Sequence, residues 1–87
     1  MPSRTNPAMR VAYDPSVEAL YFRFCGAPFA RHVRLDDSRG YDLATDGRLI
    51  GVEILLNPTR PVDLADLPEV ELISHWLRSA GHAVAEG

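Results

Sequence analysis

Along the first two thirds of the chain the apolar positions come in short runs bounded by turn residues, and beyond that they recur at three- and four-residue intervals. The strongest run is Leu49–Leu56, L-I-G-V-E-I-L-L, which follows Asp46-Gly47. An Asp-Gly pair flanked by apolar runs is a hairpin signal. The run itself is rich in β-branched residues and too short for a helix. Successive side chains on a strand point to opposite faces. Ile50, Val52, Ile54 and Leu56 therefore share one face, and Leu49, Gly51, Glu53 and Leu55 the other. Only Glu53 among them is charged, which is the pattern of a strand covered on both sides at the centre of a sheet.

The remaining runs predict four more strands, at Arg10–Tyr13, Ala19–Cys25, Phe29–Leu35 and Gly40–Thr45, with Arg48–Leu56 as the fifth. Turns fall at Asp14-Pro15-Ser16, Gly26-Ala27-Pro28 and Asp36-Asp37-Ser38. The third strand is expected to fold back antiparallel on the second. Asn57-Pro58 ends the sheet, because proline cannot donate to a ladder, and Thr59–Ala65 is a connector. Asp66 and Glu69 then form a D-x-x-E pattern close to a capping box, with Pro68 in the first turn and Gly81 at the stop. Between them Val70, Ile73, Leu77 and Ala80 lie on one stripe, with Trp76 at its edge. The pattern predicts a helix over about 67–80, packed on one sheet face. The fold class is α+β: an antiparallel β-meander of about five strands with one C-terminal helix. It makes a single domain over 9–87, behind a loose, proline-containing tail at Met1–Ala8.

Length and charge narrow the functional classes. A chain of 87 residues buries only roughly 60–65% of its unfolded surface, so association would help it. The net charge of −3 argues against a polyanionic partner such as nucleic acid. All nine basic residues are arginine, a compositional bias of the kind a GC-rich genome produces. Cys25 is the single cysteine, so no intrachain disulfide can form. Met1–Ala8 has no apolar core after its basic residue, unlike a secretory signal. No apolar stretch is long enough for a membrane span. The expectation is a cytoplasmic protein.

Two motifs carry a resemblance. Y-D-P-S-V-E-A-L-Y-F-R-F at Tyr13–Phe24 and D-G-R-L-I-G-V-E-I-L at Asp46–Leu55 resemble a bacterial family of short proteins. Its members show Y-D-P-x-x-D-A-L-Y-I-R and D-x-D-x-D-G-R-L-V-G-I-E-I-L. It is the domain-of-unknown-function family numbered twenty-two eighty-three. The match covers about Arg10 to Asn57. The family implies a small β-rich fold and brings no activity, substrate or catalytic residue with it. Glu18 stands where the family has Asp. Ala44 stands where the second Asp of D-x-D-x-D-G is usual, which weakens an acidic-cluster or metal reading, while Asp42 and Asp46 match.

The candidate chemistry is one polar cluster: Asp42, Glu53, Arg23 and Arg31. A two-residue loop at Asp46-Gly47 places Thr45 opposite Arg48, Leu43 opposite Ile50 and Asp42 opposite Gly51. Asp42 and Glu53 then become diagonal neighbours on one face. Paired carboxylates on a half-buried face suit acid–base chemistry or a hard metal. Neutralisation by arginine is the other reading. A three-residue loop at Gly26–Pro28 would set Arg23 opposite Arg31, and like charges in register repel. Glu53 is therefore expected to pair with Arg23 or Arg31. His32 is expected on the face with Leu20, Phe22 and Phe24, His75 on the polar side of the helix, and His82 past its end. None has metal-ligand spacing. Cys25 reads as a small packing residue, and the glycines do not form a phosphate loop. No catalytic, cofactor-binding or metal-ligating residue is assigned, and no cofactor is expected.

The second and third strands also read as apolar on both faces, and one helix shields only one. Another copy of the chain would cover the remainder, giving a homodimer joined through the sheet. Folding back of Thr59–Leu64 and the C-terminal tail over the open face is the alternative. The leading functional expectation is a non-catalytic, self-associating interaction module that also takes another protein as partner. A nucleic-acid-linked or antitoxin-like regulator would rest on Arg23, Arg31 and Arg34 beside aromatics. A small enzyme would rest on Asp42 and Glu53.

Overall fold

The structure is a computed structural model and describes residues 9–85. The tail expected at Met1–Ala8 lies outside them, as do the last two positions of the 9–87 domain. Five strands and one helix follow in order: β1 (Arg10–Asp14), β2 (Ala19–Arg23), β3 (Phe29–Arg34), β4 (Arg39–Ala44), β5 (Leu49–Leu55) and α1 (Val70–Ser79). The strands form one sheet in the order β1-β2-β5-β4-β3, and every pairing is antiparallel. This is an α+β fold with a meander-like sheet. The apolar β5 takes the central position, as its sequence predicts, between β2 and β4.

The hairpin expected between β2 and β3 does not form. β3 pairs with β4 alone and lies at the sheet edge. The amides of Phe24 and Cys25 both donate to the Ile50 carbonyl, at 2.7 and 3.4 Å, so the end of β2 is carried along β5. Gly26 does not adopt the positive φ that a three-residue hairpin loop needs. Arg23 accordingly stands opposite Arg10 on one side and Gly51 on the other, not opposite Arg31.

The Asp46-Gly47 turn is one residue longer than expected. Gly47 has φ 87°. Its amide donates to Ala44 O at 2.9 Å, and the Ala44 amide donates to Arg48 O at 2.8 Å. This is a three-residue loop closed by a left-handed glycine. The extra residue is absorbed as an irregularity beside Asp42: Asp42 still faces Gly51, but Leu43 faces Leu49. Ala44 is buried.

One face of the sheet holds the core. Leu20, Phe22, Val52 and Ile54 pack with Ile73 and Leu77 of α1, and Phe22 and Trp76 meet edge to face with ring centroids 5.5 Å apart. α1 begins later than predicted, after Glu69, with no side-chain cap. Asp66 and Glu69 both have positive φ, 65° and 54°. Neither has the extended backbone of a capping residue, so the capping box does not form. The C-terminus ends as expected: the Gly81 amide donates to Arg78 O and the His82 amide to Leu77 O, the Schellman arrangement that a left-handed glycine permits.

The connector and the C-terminal segment return to this same face. Val62 bridges Val84 in parallel, and both pack on the core with Leu64. Arg39, only 8% exposed, ties the connector down. Its guanidinium donates to Asp36 Oδ2 (3.0 and 2.9 Å) and to the carbonyls of Asp63 (3.2 Å) and Ala65 (2.5 Å).

Candidate functional site

The second face of the sheet is left open by α1 and by the connector. Register gives its two central rows. Ala12, Tyr21, Glu53, Gly40 and Arg34 form one; Arg10, Arg23, Gly51, Asp42 and His32 form the other. The expectation that β2 and β3 are apolar on both faces fails here. Leu20 and Phe22 turn to the core, while Tyr21 and Arg23 turn outward. This face is polar. His32 belongs to it, since it stands opposite Asp42, and not to the face of Leu20 and Phe22.

A single bridge of side chains crosses four strands of this face. Tyr21 on β2 reaches over β5, and its hydroxyl donates to Asp42 Oδ2 on β4 at 2.8 Å. Asp42 Oδ1 lies 2.6 Å from His32 Nδ1 on β3. A carboxylate only accepts, so Nδ1 carries the proton. Burial, and then the bond to Asp42, hold the Tyr21 phenol well above its ordinary range, which keeps it the donor.

Two glycines make this path. A Cβ on Gly51 would collide with Cζ and the hydroxyl of Tyr21, and one on Gly40 would meet the His32 ring at 2.7 Å. The tyrosine therefore lies across β5 where a side chain would otherwise stand, and the imidazole crosses β4 in the same way. Glycine in a strand interior weakens the strand and marks close approach; here each one admits a ring.

The arginines surround the bridge. Arg23 lies over the Tyr21 ring, 5.7 Å from its centroid. Arg34 NH2 stands 4.0 Å from Glu53 Oε1, with both side chains well exposed. Of the residues singled out in the sequence, Asp42, Glu53 and Arg23 share this face. Arg31 stands opposite Leu43 in the neighbouring row and turns the other way. Asp42 and Glu53 are diagonal neighbours; Asp42 is bonded to Tyr21 and His32, and Glu53 faces Arg34. Sequence reading missed His32 and Tyr21. The hint was available: Gly40 and Gly51 interrupt strands at positions where a ring from the next strand could lie.

An imidazole oriented by a carboxylate is the base half of a nucleophilic site. The Cys25 thiol donates to Leu49 O at 3.3 Å instead. Among the described residues no group of three or more His, Cys, Asp or Glu is arranged to hold a metal. Among the described residues no helix is long and apolar enough to cross a membrane.

A family model described as "Protein of unknown function (DUF2283)" matches residues 10–56. No curated protein and no solved structure matches the chain. The matched segment spans all five strands and every residue of the bridge, and it stops short of the connector and α1. More than half of the chain is covered, and the chain belongs to the DUF2283 family.

Proposed function

We propose that this member of the DUF2283 family is a non-catalytic binding module of the bacterial cytoplasm that recognises its partner with the open face of its sheet. The observation that carries the reading is the Tyr21–Asp42–His32 bridge. A face without a ligand could be solvated by mobile charges; this one is fixed across four strands by two hydrogen bonds and two glycines. Fixing side chains before binding removes the ordering cost at the moment of association. Chemical-shift mapping tests it. On adding a single-stranded oligonucleotide, a polyglutamate peptide or more of the protein itself, the signals expected to move are those of Tyr21, Gly51, Asp42 and His32. Shifts confined to α1 and Asp63–Ala65 would overturn the reading.

Self-association is a second reading, supported at a different place. β3 is an edge strand, and Phe29 at its start is 60% exposed. Unpaired edges pair with other chains, so two copies joined along β3 would extend the sheet and leave the open face accessible. Sedimentation equilibrium is expected to show a dimer that Phe29→Glu dissociates. A species that stays near 9.6 kDa as concentration rises would contradict it.

A further inference from the structure

We propose that the Arg10–Arg23 pair, with the Tyr21 ring beside it, contacts the phosphates and bases of a single-stranded nucleic acid. This rests on the reading of the open face as the recognition surface and names the ligand for it. Arg10 and Arg23 stand directly opposite each other across β1 and β2. Both are exposed. Like charges in register repel, yet among the described residues neither forms an ion pair with a carboxylate. A phosphate diester seated between the two guanidinium groups supplies the missing anion with paired, charge-assisted hydrogen bonds.

The neighbouring groups suit the rest of a nucleotide. The Tyr21 ring lies across Gly51, with Arg23 over it. Aromatic rings and guanidinium planes along a basic track are how proteins hold single strands without reading sequence. Arg34 continues the track on the far side of the bridge, where its approach to Glu53 is long, at 4.0 Å, and exposed. The net charge of −3 belongs to the whole chain. Asp63, Asp66, Glu69 and Glu71 lie on the connector and the start of α1, elements that pack on the other side of the sheet, while the two central rows of the open face carry Arg10, Arg23 and Arg34 against Asp42 and Glu53.

A protein partner fits this face less well. Protein interfaces are anchored by large aromatic and apolar side chains. The exposed large hydrophobics lie elsewhere: Val17 is in the β1–β2 turn, Phe29 opens the edge strand, and Val70 and Leu72 are on α1. Tyr13 pairs with Leu20 and so belongs to the helix side.

The test is fluorescence anisotropy of the full chain with a labelled single-stranded DNA of about 12 nucleotides, within the span of small single-strand sites. Binding is expected to fall as salt rises. Arg10→Glu and Arg23→Glu are each expected to weaken it roughly tenfold or more and to flatten the log–log salt slope by about 0.7 for each phosphate no longer neutralised. Tyr21→Phe keeps the ring and is expected to retain most of the affinity, whereas Tyr21→Ser loses roughly tenfold. Arg60→Glu, on the connector, is expected to leave binding unchanged. Far-UV circular dichroism confirms that each variant is folded. Absence of binding by the parent protein overturns the proposal. If polyglutamate binds instead, with the same sensitivity to Arg10→Glu, the nucleic-acid assignment fails and the open-face reading stands. If DNA binds with no sensitivity to Arg10 or Arg23, both fail.

Discussion

The two faces of this sheet are built from alternate residues of the same strands, yet they are held by different physics. On the inner face, Leu20, Phe22, Val52 and Ile54 are buried under α1, and non-directional apolar burial does the work. On the outer face, Tyr21 and Asp42 stand one residue away from core positions and are fixed by two directional bonds, 2.8 and 2.6 Å long. A net protein hydrogen bond contributes only about 1 kcal/mol, whereas a buried aromatic contributes several. The inner face therefore holds the fold together. The outer face adds little stability and much order, which is what a recognition surface requires.

The largest expected effect tests the inner face. Phe22→Ala should cost about 3–5 kcal/mol, because a fully buried ring that meets Trp76 edge to face leaves a cavity. Ile73→Ala should cost about 2–4 kcal/mol for the same reason. Urea denaturation measures both, and a parent-like midpoint for either would show that α1 is not docked on the sheet. Next comes Arg39, a cation buried on the inner face. Arg39→Ala should cost about 2–3 kcal/mol, since hydrogen bonds from a charged donor are worth more than neutral ones and three carbonyl or carboxylate partners are abandoned. The loss should appear as local opening of residues 61–65 in hydrogen exchange before global unfolding.

The outer face should respond differently. Gly51→Ala should cost only about 1 kcal/mol in stability, because the far end of the Tyr21 side chain can swing aside, but it should break the Tyr21–Asp42 bond. Gly40→Ala should cost more, about 1–3 kcal/mol: the new methyl would also meet the Val33 carbonyl at 2.9 Å, and backbone cannot swing aside. Melting curves rank the pair, and equal costs would remove the distinction between ring and backbone crowding.

Titration gives a smaller effect with a definite sign. The folded protein holds the Tyr21 phenol above its ordinary 10.0. Its contribution is complete below pH 10 and is lost as pH rises beyond that, when the unfolded chain ionises first. Tyr21→Phe should flatten this alkaline loss and lower stability in the neutral region by about 1 kcal/mol, the contribution of the bond to Asp42. The smallest change is at Glu18, which sits at φ 53°. Glu18→Gly should stabilise the β1–β2 turn by up to about 1 kcal/mol by relieving a left-handed conformation.

The inner face is legible in the sequence and the outer face is not. Apolar periodicity in Leu49–Leu56 predicts a central strand, and the Ile73–Leu77 stripe predicts a docked helix; both follow from burial, which sequence records residue by residue. The Asp46-Gly47 signal locates a turn but not its length, and one extra residue sets Leu43 opposite Leu49 instead of Ile50. Adjacency in sequence suggests a β2–β3 pairing, but the sheet inserts β5 and β4 between them. The expected pairing puts His32 on the wrong face and matches Arg23 with Arg31 instead of Arg10. The Tyr21–Asp42–His32 bridge depends on strands distant in sequence meeting in register, so no single segment announces it.

The central claim is that the helix covers one face of the sheet while the other is presented to solvent and ordered. Paramagnetic relaxation by a soluble, uncharged spin probe measures it directly in the folded protein. The expected result is strong broadening of side-chain signals from Arg10, Arg23, Arg34 and His32, with Leu20, Phe22, Val52 and Ile54 protected. Equal protection of both sets would mean that another segment or a second copy already covers the outer face, and would contradict the claim.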